Sequence, residues 1–212
     1  SDICWALALT KDGGLVLAGE TTSSGEGEED FYLVKTDSMG TVEWTQTFGW
    51  GKSDRCFSVV QANDGGYVLA GQTYSLGAGD RDVCVVKATA EGDMEWAKVF
   101  GGPESDVGHS VIRVGDGHFL VTGYSSSAPA EDDDPYLIKI DSTGGALFAE
   151  KIHLDGANHT LTGAQSDDRG FYLGGFTQYP GKRGKTGLLV KTDADGYLLW
   201  HRDIQPENPG ES

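Results

Sequence analysis

The sequence predicts an all-β chain of four four-stranded antiparallel units, and three observations lead there. One pattern recurs every 52 residues without insertion or deletion: Asp12, Asp64, Asp116 and Asp168; Gly19, Gly71, Gly123 and Gly175; Lys35, Lys87, Lys139 and Lys191; Gly40, Gly92, Gly144 and Gly196. Trp44, Trp96, Phe148 and Trp200 complete it, and four such units fill 208 of the 212 residues. Each unit also holds four short runs rich in β-branched or aromatic residues and bounded by Gly, Asp or Ser. Finally, no window carries a 3.6-residue apolar period, so no helix is expected.

Unit two shows the elements in order. The first strand is expected from Asp54 to Gln61, and the next follows Asp64-Gly-Gly, a dipeptide signal for a tight hairpin that needs positive φ. A long, compositionally variable link leads to the third strand at Asp82, and the turn Thr89-Ala-Glu-Gly leads to the fourth, ending at Phe100. The third strands, such as Phe31-Tyr-Leu-Val and Tyr136-Leu-Ile, are apolar at successive positions. A strand of that kind must be covered on both faces. A repeated antiparallel meander of about 50 residues whose sheets cover one another is the blade of a β-propeller. The blades are then 2–53, 54–105, 106–157 and 158–208 of one domain, with 209–212 as a tail, and the repeated Trp wedges between blades. Four blades are few for a ring, so three arrangements follow: a single four-bladed array, half of an eight-bladed homodimer, or a piece of a longer chain.

At these residues the chain resembles known propeller repeats. Strand-Gly followed by Asp-x-x-Gly-x-x-x-Trp is similar to the kelch repeat and to the tryptophan-docking repeat of quinoprotein-type propellers. The double glycine of kelch is Ala18-Gly19 and Ala70-Gly71 here, becoming Gly174-Gly175 in unit four. The resemblance implies a propeller in families that range from oxidoreductases to scaffolds.

A formal charge of −17 argues against nucleic-acid and anionic-membrane partners, since a phosphate-binding surface needs clustered Lys and Arg. No apolar run reaches the roughly 18 residues of a membrane helix, so no membrane insertion is expected. Acidity and repeat style favour an extracellular or cell-surface location, with cytoplasm as the alternative. Cys4, Cys56 and Cys84 make no disulfide framework and are read as small buried hydrophobes.

The long second-to-third links and the unit-to-unit links share one face. Its exposed aromatics, Trp50, Tyr74 and Tyr179, with His153, are the expected ligand contacts, suited to stacking on sugars or partner side chains. That face also carries Glu26, Glu28, Glu29, Asp80 and the run from Glu131 to Asp134. Asp30, Asp82 and Asp134 recur beside it, and clustered carboxylates suit calcium, although a structural role in turns fits the recurrence too. No other cofactor is expected. No Gly-x-Ser-x-Gly, His-Glu-x-x-His, phosphate-binding loop or zinc-spaced Cys pair occurs. The expected function is a non-catalytic binding or scaffold module for a carbohydrate or protein partner. The alternative is a hydrolase or quinoprotein-type enzyme with an axial site.

Overall fold

The computed structural model describes residues 1–115, 117–127 and 132–205. Asp116, Glu131 and the tail 209–212 lie outside the described residues. Sheet one holds β1 (Asp2–Leu9), β2 (Leu15–Thr21), β3 (Asp30–Thr36) and β4 (Val42–Phe48); sheet two holds β5 (Asp54–Gln61), β6 (Tyr67–Thr73), β7 (Asp82–Ala88) and β8 (Met94–Phe100). Sheet three holds β9 (Asp106–Arg113), β10 (Phe119–Ser125), β11 (Asp134–Ile140) and β12 (Ala146–Lys151); sheet four holds β13 (Ala157–Gln165), β14 (Phe171–Gln178), β15 (Thr186–Thr192) and β16 (Leu198–Ile204). Every sheet is an antiparallel meander in chain order. The chain is all-β, with four blades as expected.

Each first strand carries a bulge at Trp5, Phe57, His109 or Leu161, where one residue has no partner on the second strand. The bulge explains the invariant glycine of the second strand. A Cβ on Gly19, Gly71, Gly123 or Gly175 would lie within 2 Å of the carbonyl oxygen of Ile3, Arg55, Val107 or His159. Only glycine tolerates so close a backbone approach.

The core lies between sheets, in one cluster per seam. Val16, Ala18, Phe31 and Leu33 of sheet one meet Tyr67, Leu69, Cys84 and Val86 of sheet two. Val68, Ala70, Val83 and Val85 meet Phe119, Val121, Tyr136 and Ile138 at the second seam. Leu120 and Leu137 meet Phe171, Leu173, Leu188 and Val190 at the third. Consecutive residues of β6 and β7 thus serve opposite neighbours, and every position of both strands is buried. Fully burying one such Leu or Val contributes roughly 1.5–3 kcal/mol.

The repeated aromatic locks each seam. Trp44 sits where a Cβ on Gly92 would meet its ring, Trp96 stands so over Gly144, and Phe148 over Gly196. Trp96 also donates its indole N–H to the Ser142 carbonyl at 3.3 Å. The array is open: the outward faces of sheets one and four are not packed on each other. Leu7 is 64% exposed, whereas its counterpart Val59 is 4% exposed. Openness also corrects one sequence expectation. Cys56 and Cys84 are buried, but Cys4 is exposed, because sheet one has no preceding sheet to cover it.

The lysine column is structural. Lys35 reaches Asp12 at 2.9 Å and Glu43 at 2.8 Å, and Lys87 reaches Asp64 at 3.0 Å and Glu95 at 2.9 Å. Lys191 reaches Asp168 at 2.7 Å. Burial pulls the Lys35 ammonium down, but Glu43 and Asp12 outweigh it and raise its pKa.

Candidate functional site

Three columns of the repeat change residue at every unit, and the fold brings them together at the loop end of the sheets. They are Ile3, Arg55, Val107 and His159 on the first strands; Glu20, Gln72, Tyr124 and Phe176 on the second; and Glu29, Arg81, Asp133 and Lys185 just before the third. Cross-strand pairing places the first two columns side by side, as in Ile3 opposite Glu20. The third meets the first at the first and third seams, and the second at the second seam.

At the first seam Glu29 accepts two hydrogen bonds from Arg55, from Nε at 2.7 Å and from Nη2 at 3.0 Å, and a third from the Ser53 hydroxyl. Arg55 holds the Glu29 carboxyl below its usual range, and Glu29 raises the guanidinium in return. Glu20 pairs with Arg55 by charge at 3.6 Å, too far for a hydrogen bond, and its buried Oε2 has no hydrogen-bond partner. At the second seam Arg81 donates from Nη2 to the Tyr124 hydroxyl at 2.9 Å, while its Nε is also unpartnered. At the third, His159 Nε2 and Asp133 Oδ2 stand 2.7 Å apart, and the bond to His159 holds the Asp133 carboxyl low.

Aromatic rings link the seams. Trp5, Phe57, His109, Tyr124, His159 and Phe176 follow one another with centroid separations between 4.0 and 6.5 Å. Lys185 caps the series, its ammonium 3.6 Å from the Phe176 centroid. Burial pushes the His109 pKa down to about 4, so this ring stays neutral in the stack. His109 is in register with Trp5 and Phe57 and takes the place of a packing aromatic.

A cavity of about 590 Å³ opens at the first seam, lined by Thr22, Glu28, Glu29, Lys52, Arg55 and Tyr74 among others. Two carboxylates, two cations and one phenol ring surround it. Of the four expected ligand contacts, Tyr74 lines this cavity. Trp50 lies half-buried against the core of the first seam. His153 and Tyr179 stand elsewhere: His153 beside Asp134 at 3.2 Å, and Tyr179 donating to Asp203 at 2.7 Å with Lys182 over its ring.

Asp30, Asp82 and Asp134 each open the third strand of a different sheet, and all are buried. Asp82 accepts the Gly79 N–H at 3.1 Å and Asp134 that of Leu154 at 3.2 Å. Burial, together with the charge of Asp54, pushes Asp30 up to about 6. Among the described residues, no three His, Cys, Asp or Glu side chains gather as a metal site. Nor does any helix long and apolar enough to cross a membrane occur there.

Arg55, Arg81, Tyr124 and the His159–Asp133 pair were missed by sequence reasoning. The available signal was the columns themselves, constant in position and discordant in chemistry.

No family model and no curated protein matches the sequence. Solved structures do. One belongs to the GH130 family of mannoside phosphorylases, with glycoside hydrolases that target β-1,2-mannosidic linkages in Candida mannan; it has a TM-score of 0.51 at 12% identity, over 100% of this chain and 73% of that one. Another is a protein from Parabacteroides distasonis described as a glycoside hydrolase, with a TM-score of 0.50 at 15% identity, over 99% of this chain and 76% of that one. A eukaryotic initiation factor aligns at a TM-score of 0.43 and 8% identity over 95% of this chain, which spans only 55% of that protein. At these identities the likeness to the two hydrolase structures shows the fold alone, a propeller-like one. These two structures do not support a kelch-like subfamily.

Proposed function

We propose that the chain is a non-catalytic binding module that takes a carbohydrate at the first-seam cavity. The observation that carries this reading is the paired Glu29 and Arg55, fixed beside Tyr74 and near Glu20, whose buried Oε2 makes no hydrogen bond. Carboxylate and guanidinium groups held in fixed geometry suit vicinal hydroxyls, and a phenol face suits the apolar side of a sugar ring. Such a role fits an exported or cell-surface chain. The test is a glycan array followed by calorimetry on the responding glycan, with and without calcium. Binding is expected, and Tyr74→Ala and Arg55→Ala should each weaken it at least tenfold. Silence against every glycan would overturn the carbohydrate reading and leave a protein partner. A calcium requirement would bring the Asp30, Asp82 and Asp134 column back as ligands.

A second reading, a propeller hydrolase, is favoured by one observation. His159 is hydrogen-bonded to Asp133 and packed at a tilt against Tyr124 with centroids 4.0 Å apart, the arrangement of an oriented base. The propeller-like fold shared with glycoside hydrolase structures is compatible with it. Turnover of a bound glycan that His159→Ala abolishes would establish this alternative.

A further inference from the structure

We propose that the outward faces of sheets four and one are the two halves of a fourth seam, closed head to tail by a second copy of this chain into an eight-bladed ring of two. The argument is one of matching sizes. At the strand-two level every seam pairs one aromatic with one aliphatic residue: Val16 with Tyr67, Val68 with Phe119, Leu120 with Phe171. On the open faces the order is reversed, with Tyr172 at the end of the array and Leu15 at its start. Joining those faces restores one aromatic and one aliphatic.

The strand-three level repeats the compensation. Bulky Phe31 shares a cluster with small Cys84, and small Val83 with bulky Tyr136. On the open faces Gly187 is the smallest residue of its column and Tyr32 is, with Tyr136, the largest of its own, so the missing bulk on one face stands on the other. The lock is split in the same way. Gly92, Gly144 and Gly196 each seat the ring of the preceding sheet, whereas a Cβ on Gly40 would meet nothing within 4 Å. Trp200 is the ring without a seat. Cys4, Leu17, Tyr32 and Val34 line a shallow apolar pocket on that same face, and their counterparts Cys56, Leu69, Cys84 and Val86 are all buried.

The chain does not join these faces to each other, because both are exposed in one molecule. A head-to-tail contact is heterologous, and two copies related by a two-fold axis make it twice. Adjacent aromatics of this kind dominate interface energies.

Light scattering behind size exclusion tests this. The wild-type chain should show twice the 22.5 kDa of one molecule. Trp200→Glu and Leu17→Glu should each retain their far-UV spectrum and raise the dimer dissociation constant at least a hundredfold. Mixing the two variants regenerates one intact seam, sheet four of the Leu17→Glu copy on sheet one of the Trp200→Glu copy, so a dimer should reappear. If Leu17→Glu does not fold, Tyr32→Glu replaces it. A wild-type monomer at about 100 μM would overturn the proposal. So would a larger assembly, or variants that do not rescue each other on mixing.

Discussion

Lys87 has 1% of its side chain exposed, yet its ammonium ends between two carboxylates that stand half in solvent. The geometry makes the two sides unequal. Removing the lysine leaves carboxylates that water can still solvate; removing both carboxylates strands a charge in the interior. Asp64→Ala combined with Glu95→Ala should therefore cost about 3 kcal/mol or more, against a smaller loss for Lys87→Met. Urea melts of the two variants would settle the order, and equal losses would defeat it. Asp30 behaves in the opposite sense. Its folded pKa of about 6 lies above the usual carboxylate value, so the folded chain holds a proton that the unfolded chain has lost. Stability from this group falls as pH rises through that window, and the full penalty above it is on the order of 2–3 kcal/mol. Asp30→Asn should raise stability at pH 7.5 and leave it nearly unchanged at pH 4, as read by urea midpoints across that range. A constant gap between variant and wild type would contradict the assignment. Recurrence made both residues visible in the sequence. Which partner each one meets was not, because Glu43 and Glu95 carry no mark that sets them apart from other exposed acids.

At the scale of the element, glycine columns marked turns and strands correctly but hid the bulge. Gly123 has no positive φ, and its need for glycine comes from the Val107 carbonyl 1.7 Å from where a Cβ would stand. Gly123→Ala should cost more than about 3 kcal/mol, since backbone must move on one side or the other. Gly51→Ala, with open space around it, should stay within about 0.5 kcal/mol. Thermal melts that failed to separate the two would refute the close-approach explanation. The binding residues were hidden for a different reason. Glu29 and Arg55 are 26 residues apart and join across a seam, so neither local spacing nor a motif search brings them together. Tyr74 was legible because it is an aromatic in a variable link, a local property.

The molecule as a whole is close to a one-dimensional stack in which each sheet leans on its neighbours. Sheets two and three are covered twice, sheets one and four once, and stability in such arrays is a sum of unit and interface contributions. Amide exchange on the Trp200→Glu chain should show the slowest protons in β6, β7, β10 and β11, with β1 and β16 exchanging at least tenfold faster. Uniform protection would mean that the four sheets unfold as one cooperative body. The stack itself was readable from a 52-residue stride. Its open ends were not, since an end face has the same composition as a buried one. The substitution of Phe148 for tryptophan at the third seam has a spectroscopic consequence. No tryptophan lies between Trp96 and Trp200, so indole emission reports on two of the three locks and is silent on the last. Detachment of the fourth sheet would register only indirectly, through Trp200 on its far side, and an emission-based melt would overstate how much of the chain is still assembled. Phe148→Trp, placing an indole over Gly196, would light that blind seam.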